Sequence, residues 1–375
     1  MINNKIFSKA KRIVVKIGTS LLTTQEGSLN TVYLSRIVEN IARLRQSGKE
    51  FIIVTSGSIG AGMQRLGLKE RPQTIILKQT AAAVGQNILM EVYKRLFKKY
   101  QQTIAQLLLT HQDLSSRKSY INVCNTILKL LEYKVIPVIN ENDTVAVDEI
   151  KFGDNDTLAA LISQLIEADL LLILTNIDGL YSESGELIPI VEDITYDIMK
   201  VATGTTSKFS TGGMQTKVEA ANIATQSGTT VVILNGKKEG IIEDILTGSP
   251  GTGLPAEYGT VFVAKETKLS SRKRWIMHNL KDSGEIIIDE GAKEAVLNKG
   301  KSLLPSGVLD IKGEFDQGDA VLIKDSWGMK LAKGLVNYPK NDLLKIKGKQ
   351  TNQIEEILGY KYEEEVIHRD NLVVF

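Results

Sequence analysis

Two polar clusters carry the densest potential for chemistry in the 375-residue chain: Asn140-Glu141-Asn142-Asp143 and Gly153-Asp154-Asn155-Asp156-Thr157. The first closes an apolar run, Val135–Ile139, and the second leads into an apolar helical pattern over Thr157–Glu167. Asp156 as a helix cap and Asp154 as a turn residue would account for one or two of these side chains. So many carboxamides and carboxylates at one strand end fit recognition of an amino-acid zwitterion better. Carboxylates take the ammonium, while amides and backbone N–H groups take the carboxylate.

Other segments suit anions. Val15-Lys16-Ile17-Gly18-Thr19-Ser20 places a lysine inside an apolar strand, which is costly to bury unless it meets a negative charge. Gly18 admits a close backbone approach, and Thr19 and Ser20 add hydroxyl donors. An edge strand with a solvated Lys16 would read the same way. The turn Thr55-Ser56-Gly57-Ser58 runs from a strand towards a helix and offers N–H groups to an anion, although no P-loop pattern occurs. Leu174-Thr175-Asn176 ends another apolar strand in a polar ledge suited to a nucleotide. Ser210-Thr211-Gly212-Gly213-Met214-Gln215-Thr216-Lys217 opens an amphipathic helix, and a lysine there opposes the helix dipole unless an anion binds.

These segments need strands and helices to hold them. The apolar runs Ile13–Ile17, Phe51–Thr55, Thr103–Leu109, Val135–Ile139, Leu170–Thr175, Thr230–Leu234 and Thr260–Val263 lack polar alternation, as strands buried on both faces do. Helical patterns over Thr31–Gln46 (with Asn30 as cap), Ile75–Tyr100, Ser119–Glu132, Thr157–Glu167 and Met214–Gln226 lie between them. The alternation predicts an α/β fold: a three-layer sandwich around a mostly parallel sheet, with ligands beyond the carboxyl ends of its strands. After Leu269 the basic stretch Ser270–Arg274 reads as a linker, with residues 1–269 before it as one domain and a linker over 270–280. Residues 281–375 follow as a small β-rich domain, with strands expected over Gly284–Asp289, Gly318–Ile323, Leu343–Ile346 and Asn371–Phe375.

Composition narrows the class. The chain is 42% hydrophobic and 24% charged, and its 46 Lys and Arg against 44 Asp and Glu give no general attraction for polyanions. The one cysteine, Cys124, sits on an apolar helical stripe and reads as a core residue, and one cysteine forms no intramolecular disulfide. His111, His278 and His368 share no metal-ligand spacing, so no protein metal site is expected. No apolar run is long enough to span a membrane and the first residues lack a signal-peptide core, so a cytoplasmic address is expected.

The strings VVKIGTS, VTSGSIGAG, INENDTVA, GDNDTLAA and STGGMQTK together resemble the amino acid kinase family in order and approximate spacing. The tail, with Gly300-Lys-Ser-Leu-Leu-Pro-Ser-Gly307 and Gly313-Glu-Phe-Asp-Gln-Gly-Asp319, is similar to a PUA domain. The resemblance covers nearly the whole chain and points to the branch that phosphorylates the side-chain carboxylate of L-glutamate with ATP, on the way to proline. It implies that Lys16 and Lys217 contact the transferring phosphoryl group, with Asp156 orienting both. Ser56, Gly57, Asp143 and Asn155 would hold glutamate, assisted by Asn140 and Asp154. Lys16, Gly18, Thr19, Thr175, Asn176 and Thr211–Lys217 would form the ATP site, with Mg²⁺ carried on the phosphates. Where the family leads one to expect Thr-Asp, this chain has Thr175-Asn176. The family also implies feedback inhibition by L-proline and a homo-dimer or homo-tetramer.

Acetylglutamate, aspartate, uridylate and carbamate kinases are rivals within the family, and the two Asn/Asp clusters plus the tail favour glutamate. An RNA partner for the tail is the rival from another class. Residues 281–375 hold 14 Lys and Arg against 17 Asp and Glu, a net charge of −3, which opposes phosphate contact. Lys345, Lys347 and Lys349 alternate with apolar residues and read as the solvated face of a strand.

Overall fold

The computed structural model describes residues 5–24, 28–70, 72–110, 113–114, 117–145, 155–204, 213–247, 259–265, 273, 276 and 282–375. The chain divides into two compact units, Met1–Thr267 and Lys268–Phe375.

The first unit is built on eight strands: β1 (Arg12–Ile17), β2 (Glu50–Val54), β3 (Ile104–Leu109), β4 (Ile136–Glu141), β5 (Leu170–Thr175), β6 (Ile190–Val191), β7 (Thr230–Asn235) and β8 (Gly259–Phe262). Their order in the sheet is β3-β4-β2-β1-β5-β7-β8-β6, parallel except where β8 runs antiparallel to β7. Ten helices are described in this unit: α1 (Lys5–Lys9), α2 (Thr19–Leu22), α3 (Thr31–Arg45), α4 (Ser58–Arg65), α5 (Ile75–Lys98), α6 (Arg117–Glu132), α7 (Asn155–Leu165), α8 (Tyr196–Gly204), α9 (Met214–Gln226) and α10 (Ile241–Thr247).

The uninterrupted apolar strands have the reason expected of them. Alternate residues of one strand enter two different cores. Ile13, Val15 and Ile17 pack with Leu34 and Val38 of α3, Leu89 and Phe97 of α5 and Ile242 of α10. Val14 packs on the opposite face with Cys124 of α6, Leu158 and Ile162 of α7 and Val218 of α9. Three layers result, α/β/α. The Asn30 side chain accepts from the Tyr33 N–H at 3.0 Å and so caps α3, while Thr74 does the same for α5.

β1 lies inside the sheet. Lys16 is in register with Val54 of β2 on one side and Ile173 of β5 on the other. The edge-strand reading of Lys16 is therefore wrong: the strand is paired along both sides and the lysine is buried. The chain adds β2 to β4 on one flank of β1 and β5 to β8 on the other, so β1 marks the reversal of strand order. In open α/β sheets that reversal leaves a crevice for ligands at the carboxyl ends.

The second unit has a mixed five-stranded sheet of order β10-β9-β11-β12-β13, made by β9 (Gly284–Ile288), β10 (Val308–Gly313), β11 (Ala320–Lys324), β12 (Lys330–Leu335) and β13 (Leu372–Val374). Helices α11 (Glu290–Leu297), α12 (Lys340–Ile346) and α13 (Ile354–Leu358) accompany it. The strand expected over Leu343–Ile346 is the last part of α12. Leu343 and Ile346 are both buried, three residues apart on one helical face, and Pro339 precedes the helix. The strand-face reading of Lys345, Lys347 and Lys349 falls with it. Lys345 pairs with Asp342 one helical turn away, and Lys347 reaches Asp310 on β10.

Candidate active site

Three buried charges meet at the carboxyl end of β1. Lys16 Nζ lies 2.5 Å from Asp156 Oδ1, and Lys217 Nζ lies 3.0 Å from Asp156 Oδ2. Asp156 is fully buried and the two lysines nearly so, at 5% and 6% exposure. Each comes from a different element: Lys16 from β1, Asp156 from the first turn of α7, Lys217 from the start of α9. The α7 dipole favours a carboxylate in that first turn. Asp156 is thus no cap at the helix edge but the shared partner of two ammonium groups, and this trio carries a net positive charge. The Thr216 hydroxyl donates to the Gly213 carbonyl at 2.9 Å and stands 3.4 Å from Asp156 Oδ2. Two ammonium groups set about one carboxylate make a cluster that attracts an anion.

Gly18 sits against the trio. A Cβ built there would come within 3.2 Å of the Leu174 carbonyl oxygen and 4.0 Å of Lys16 Nζ. Its N–H donates to that same Leu174 oxygen at 3.1 Å. Thr19 opens the single turn α2. Gly57, at φ +97°, turns the chain from β2 into α4, a left-handed conformation that glycine adopts without strain.

An amide network lies beside the trio at the ends of β2 and β4. Asn155 Nδ2 donates to Ser56 Oγ at 2.8 Å and to Asn140 Oδ1 at 3.1 Å, and Asn140 Nδ2 donates to Gln86 Oε1 at 2.9 Å. Ser56 and Asn140 are buried. Asn155 Oδ1 is a buried acceptor with no hydrogen-bond partner among the described residues. Asp143 is held at one oxygen by Ser58 Oγ, 3.1 Å away, at the start of α4. Ser58 and Gln86 were not singled out by sequence reasoning. A signal existed for Gln86: an amide among the buried positions Ala81, Ala82, Gly85 and Leu89 of α5.

On the β5 side, Thr175 is buried and Asn176 exposed, their side chains 3.4 Å apart. Just beyond, Lys238 lies 2.8 Å from Asp178, and its hydrogen bond is the main reason the Asp178 carboxyl is held below its ordinary range. In α9, Met214 packs into the core and Gln215 donates to Glu219. Of the expected site residues, Asp154, Thr211 and Gly212 lie outside the described residues. Among the described residues, no group of three or more His, Cys, Asp or Glu is placed to hold a metal, and no helix is long and apolar enough to cross a membrane.

The profile of the amino acid kinase family matches residues 11–235, which includes every element that builds the trio and the amide network. The chain belongs to the amino acid kinase family. A PUA domain profile matches residues 284–358 of this amino acid kinase. Its relatives are similar from end to end. It is 49% identical over 369 residues to a glutamate 5-kinase of Thermoanaerobacter sp. (strain X514), and 50% identical over 369 residues to that of Caldanaerobacter subterraneus subsp. tengcongensis. In both cases 97% of each chain is covered. The glutamate 5-kinase of Geobacter sulfurreducens is 45% identical over 375 residues, covering 98% of this kinase and 99% of its own length.

Proposed function

We propose that this kinase transfers the γ-phosphoryl group of ATP to the side-chain carboxylate of L-glutamate, giving L-glutamyl 5-phosphate and ADP, the first step towards proline. The observation that carries the reading is the Lys16–Asp156–Lys217 trio lying next to the amide network of Ser56, Asn140 and Asn155. End-to-end relatives at 45–50% identity that are glutamate 5-kinases support the choice of acceptor.

A carboxylate nucleophile is already ionised at neutral pH, so the reaction needs no general base. The work left is positioning and neutralisation of charge on the transferring group. Lys16 and Lys217, tethered to opposite oxygens of Asp156, are held ready for phosphoryl oxygens and need no rearrangement when charge develops. Donors preorganised in this way are commonly worth about 10²–10³ in rate each. Mg²⁺ bound to the nucleotide phosphates supplies further neutralisation and needs no protein cage. Asp143 and the acceptor Oδ1 of Asn155 take the α-ammonium of glutamate. Ser56 and Gly57, with Asp154 nearby in sequence, line the same subsite. Thr175, Asn176 and residues 211–217 hold the nucleotide. Asn176 leaves that site one negative charge poorer than the Thr-Asp expected of the family.

The same reading assigns catalysis to residues 1–269 and treats 281–375 as an appended PUA-like domain beyond a linker at 270–280. It includes a cytoplasmic location, inhibition by L-proline at the glutamate subsite, and a homo-dimer or homo-tetramer. The test is ADP release from Mg-ATP with glutamate, aspartate, N-acetylglutamate, carbamate or UMP as acceptor, with hydroxylamine present to trap an acyl phosphate. Glutamate-dependent ADP release with hydroxamate formation, suppressed by proline, is expected. Turnover with another acceptor alone would overturn the assignment of the Asn/Asp clusters.

A further inference from the structure

The amide network has a direction, and its starting point is not a residue expected to touch any ligand. The Asn155 amide spends both N–H donors, one on Ser56 and one on Asn140, so only its Oδ1 is left for a ligand. That arrangement holds only while Asn140 presents Oδ1 to Asn155. Asn140 does so because its own Nδ2 is bound to Gln86 Oε1, 54 residues away on α5. Reversing any one amide would set two donors or two acceptors face to face in a buried site, which low polarity makes costly. The three amides are therefore coupled: while Gln86 offers its acceptor to Asn140, Asn140 offers Oδ1 to Asn155 and Asn155 keeps Oδ1 for a ligand.

The seat of Gln86 is rigid. A Cβ on the preceding Gly85 would stand 1.8 Å from the Ser58 carbonyl oxygen, and one on Gly62 would stand 1.8 Å from the Ala81 carbonyl oxygen. Helices α4 and α5 thus touch backbone to backbone. This contact fixes Gln86 relative to Ser58, the residue that holds Asp143. One packed helix pair presents both acceptors, Asp143 directly from Ser58 and Asn155 through Asn140.

We propose that Gln86 is a positioning residue that sets the site for an ammonium group: it orients the Asn140 and Asn155 amides so that Asn155 Oδ1 accepts from the α-ammonium of the acceptor substrate. The proposal rests on the reading of glutamate as that substrate.

Two variants and one analogue test it. Gln86→Leu removes the acceptor at similar size, whereas Gln86→Glu keeps an oxygen where Oε1 stands and cannot donate when ionised. Glutarate has both carboxylates of glutamate and lacks only the ammonium. For Gln86→Leu the expected result is a glutamate KM raised about tenfold, with the KM for ATP and the inhibition constant of glutarate within about twofold of wild type. Gln86→Glu is expected to keep the glutamate KM within about threefold. An unchanged glutamate KM in Gln86→Leu overturns the proposal. So does a parallel change in ATP KM, glutarate inhibition and Tm, which would mark a merely structural residue. Equal damage from Glu and Leu overturns it as well, because Gln86 would then act as a donor. Wild-type protein that releases no ADP with glutamate would remove the substrate reading itself and this inference with it; wild-type turnover with indifferent variants would remove the inference alone.

Discussion

Each unit buries an aspartate against lysine, and the two sites are built on opposite plans. In the first unit Asp156 joins Lys16 and Lys217, which lie 140 and 61 residues away in the chain, so a single carboxylate faces two ammonium groups. In the second, Asp325 follows β11 and closes the hairpin to β12. Its Oδ1 accepts from the N–H groups of Trp327 and Met329 at 3.1 and 2.9 Å, and its Oδ2 takes Lys293 at 3.1 Å. There one carboxylate meets one ammonium and two local amides, and Gly328 at φ +85° completes the turn. Burial of a charge therefore does not by itself mark a functional site. What separates the two is where the partners come from: the Asp325 arrangement draws on one hairpin and α11, whereas the Asp156 trio sets two ammonium groups from distant elements about one carboxylate, a cluster suited to attract an anion.

The sharpest way to break this contrast is to remove one lysine of the trio. Lys217→Ala and Lys16→Ala should each lower kcat by about 10²–10³ or more, because each removes a preorganised donor to the transferring group. Asp156 retains the other lysine, so the fold should survive and Tm should stay close to that of wild type. Steady-state kinetics beside a thermal melt measures both. A variant that melts early while its folded fraction turns over normally would place the trio in the same structural class as Asp325.

Asp143 sharpens the comparison within the first unit. It lies apart from the trio, with Ser58 as a hydrogen-bond partner. Asp143→Asn keeps the shape and removes the charge that meets the ammonium. A charge-assisted hydrogen bond is worth about 1.5–3 kcal/mol, so the glutamate KM should rise about tenfold to a hundredfold. The KM for ATP should stay near the wild-type value. Equal rises in both would show that Asp143 shapes the cleft as a whole instead of reading the amino acid.

How much of this was legible beforehand depended on distance along the chain. The α/β class and the mostly parallel sheet were readable because strands buried on both faces leave a local mark, and Leu170–Thr175 matches its observed strand end to end. Lys16, Asp156 and Lys217 stood out singly, as charges in apolar or helix-opening contexts. That they meet was not in their spacing and came into view only through family resemblance. The polarity of the Asn140–Asn155 amides was not legible at all, since it depends on a hydrogen bond from Asn140 to Gln86, 54 residues away. The misread segment Leu343–Ile346 failed for a local reason: Lys345, Lys347 and Lys349 imitate a two-residue period, while the burial of Leu343 and Ile346 follows a helical one.

The smallest expected effect belongs to Asp325. Burial opposes its charge, but the Met329 N–H, Lys293 and the Trp327 N–H outweigh that and hold its carboxyl below the ordinary value of 3.8. A folded-state value below the unfolded one stabilises the fold above pH 3.8 and loses that contribution as pH falls through the folded value. Asp325→Asn keeps an oxygen for the two hairpin amides and gives up the ion pair with Lys293. It should lower the melting temperature of the second unit modestly near pH 7 and leave glutamate kinetics unchanged. The gap from wild type should persist down to about pH 5 and narrow as the pH drops below 3.8. Calorimetry of both proteins across that range measures it. A gap that does not change with pH would mean that the hairpin hydrogen bonds alone, without the charge, account for what Asp325 contributes, and the two buried aspartates would then differ in kind as well as in balance.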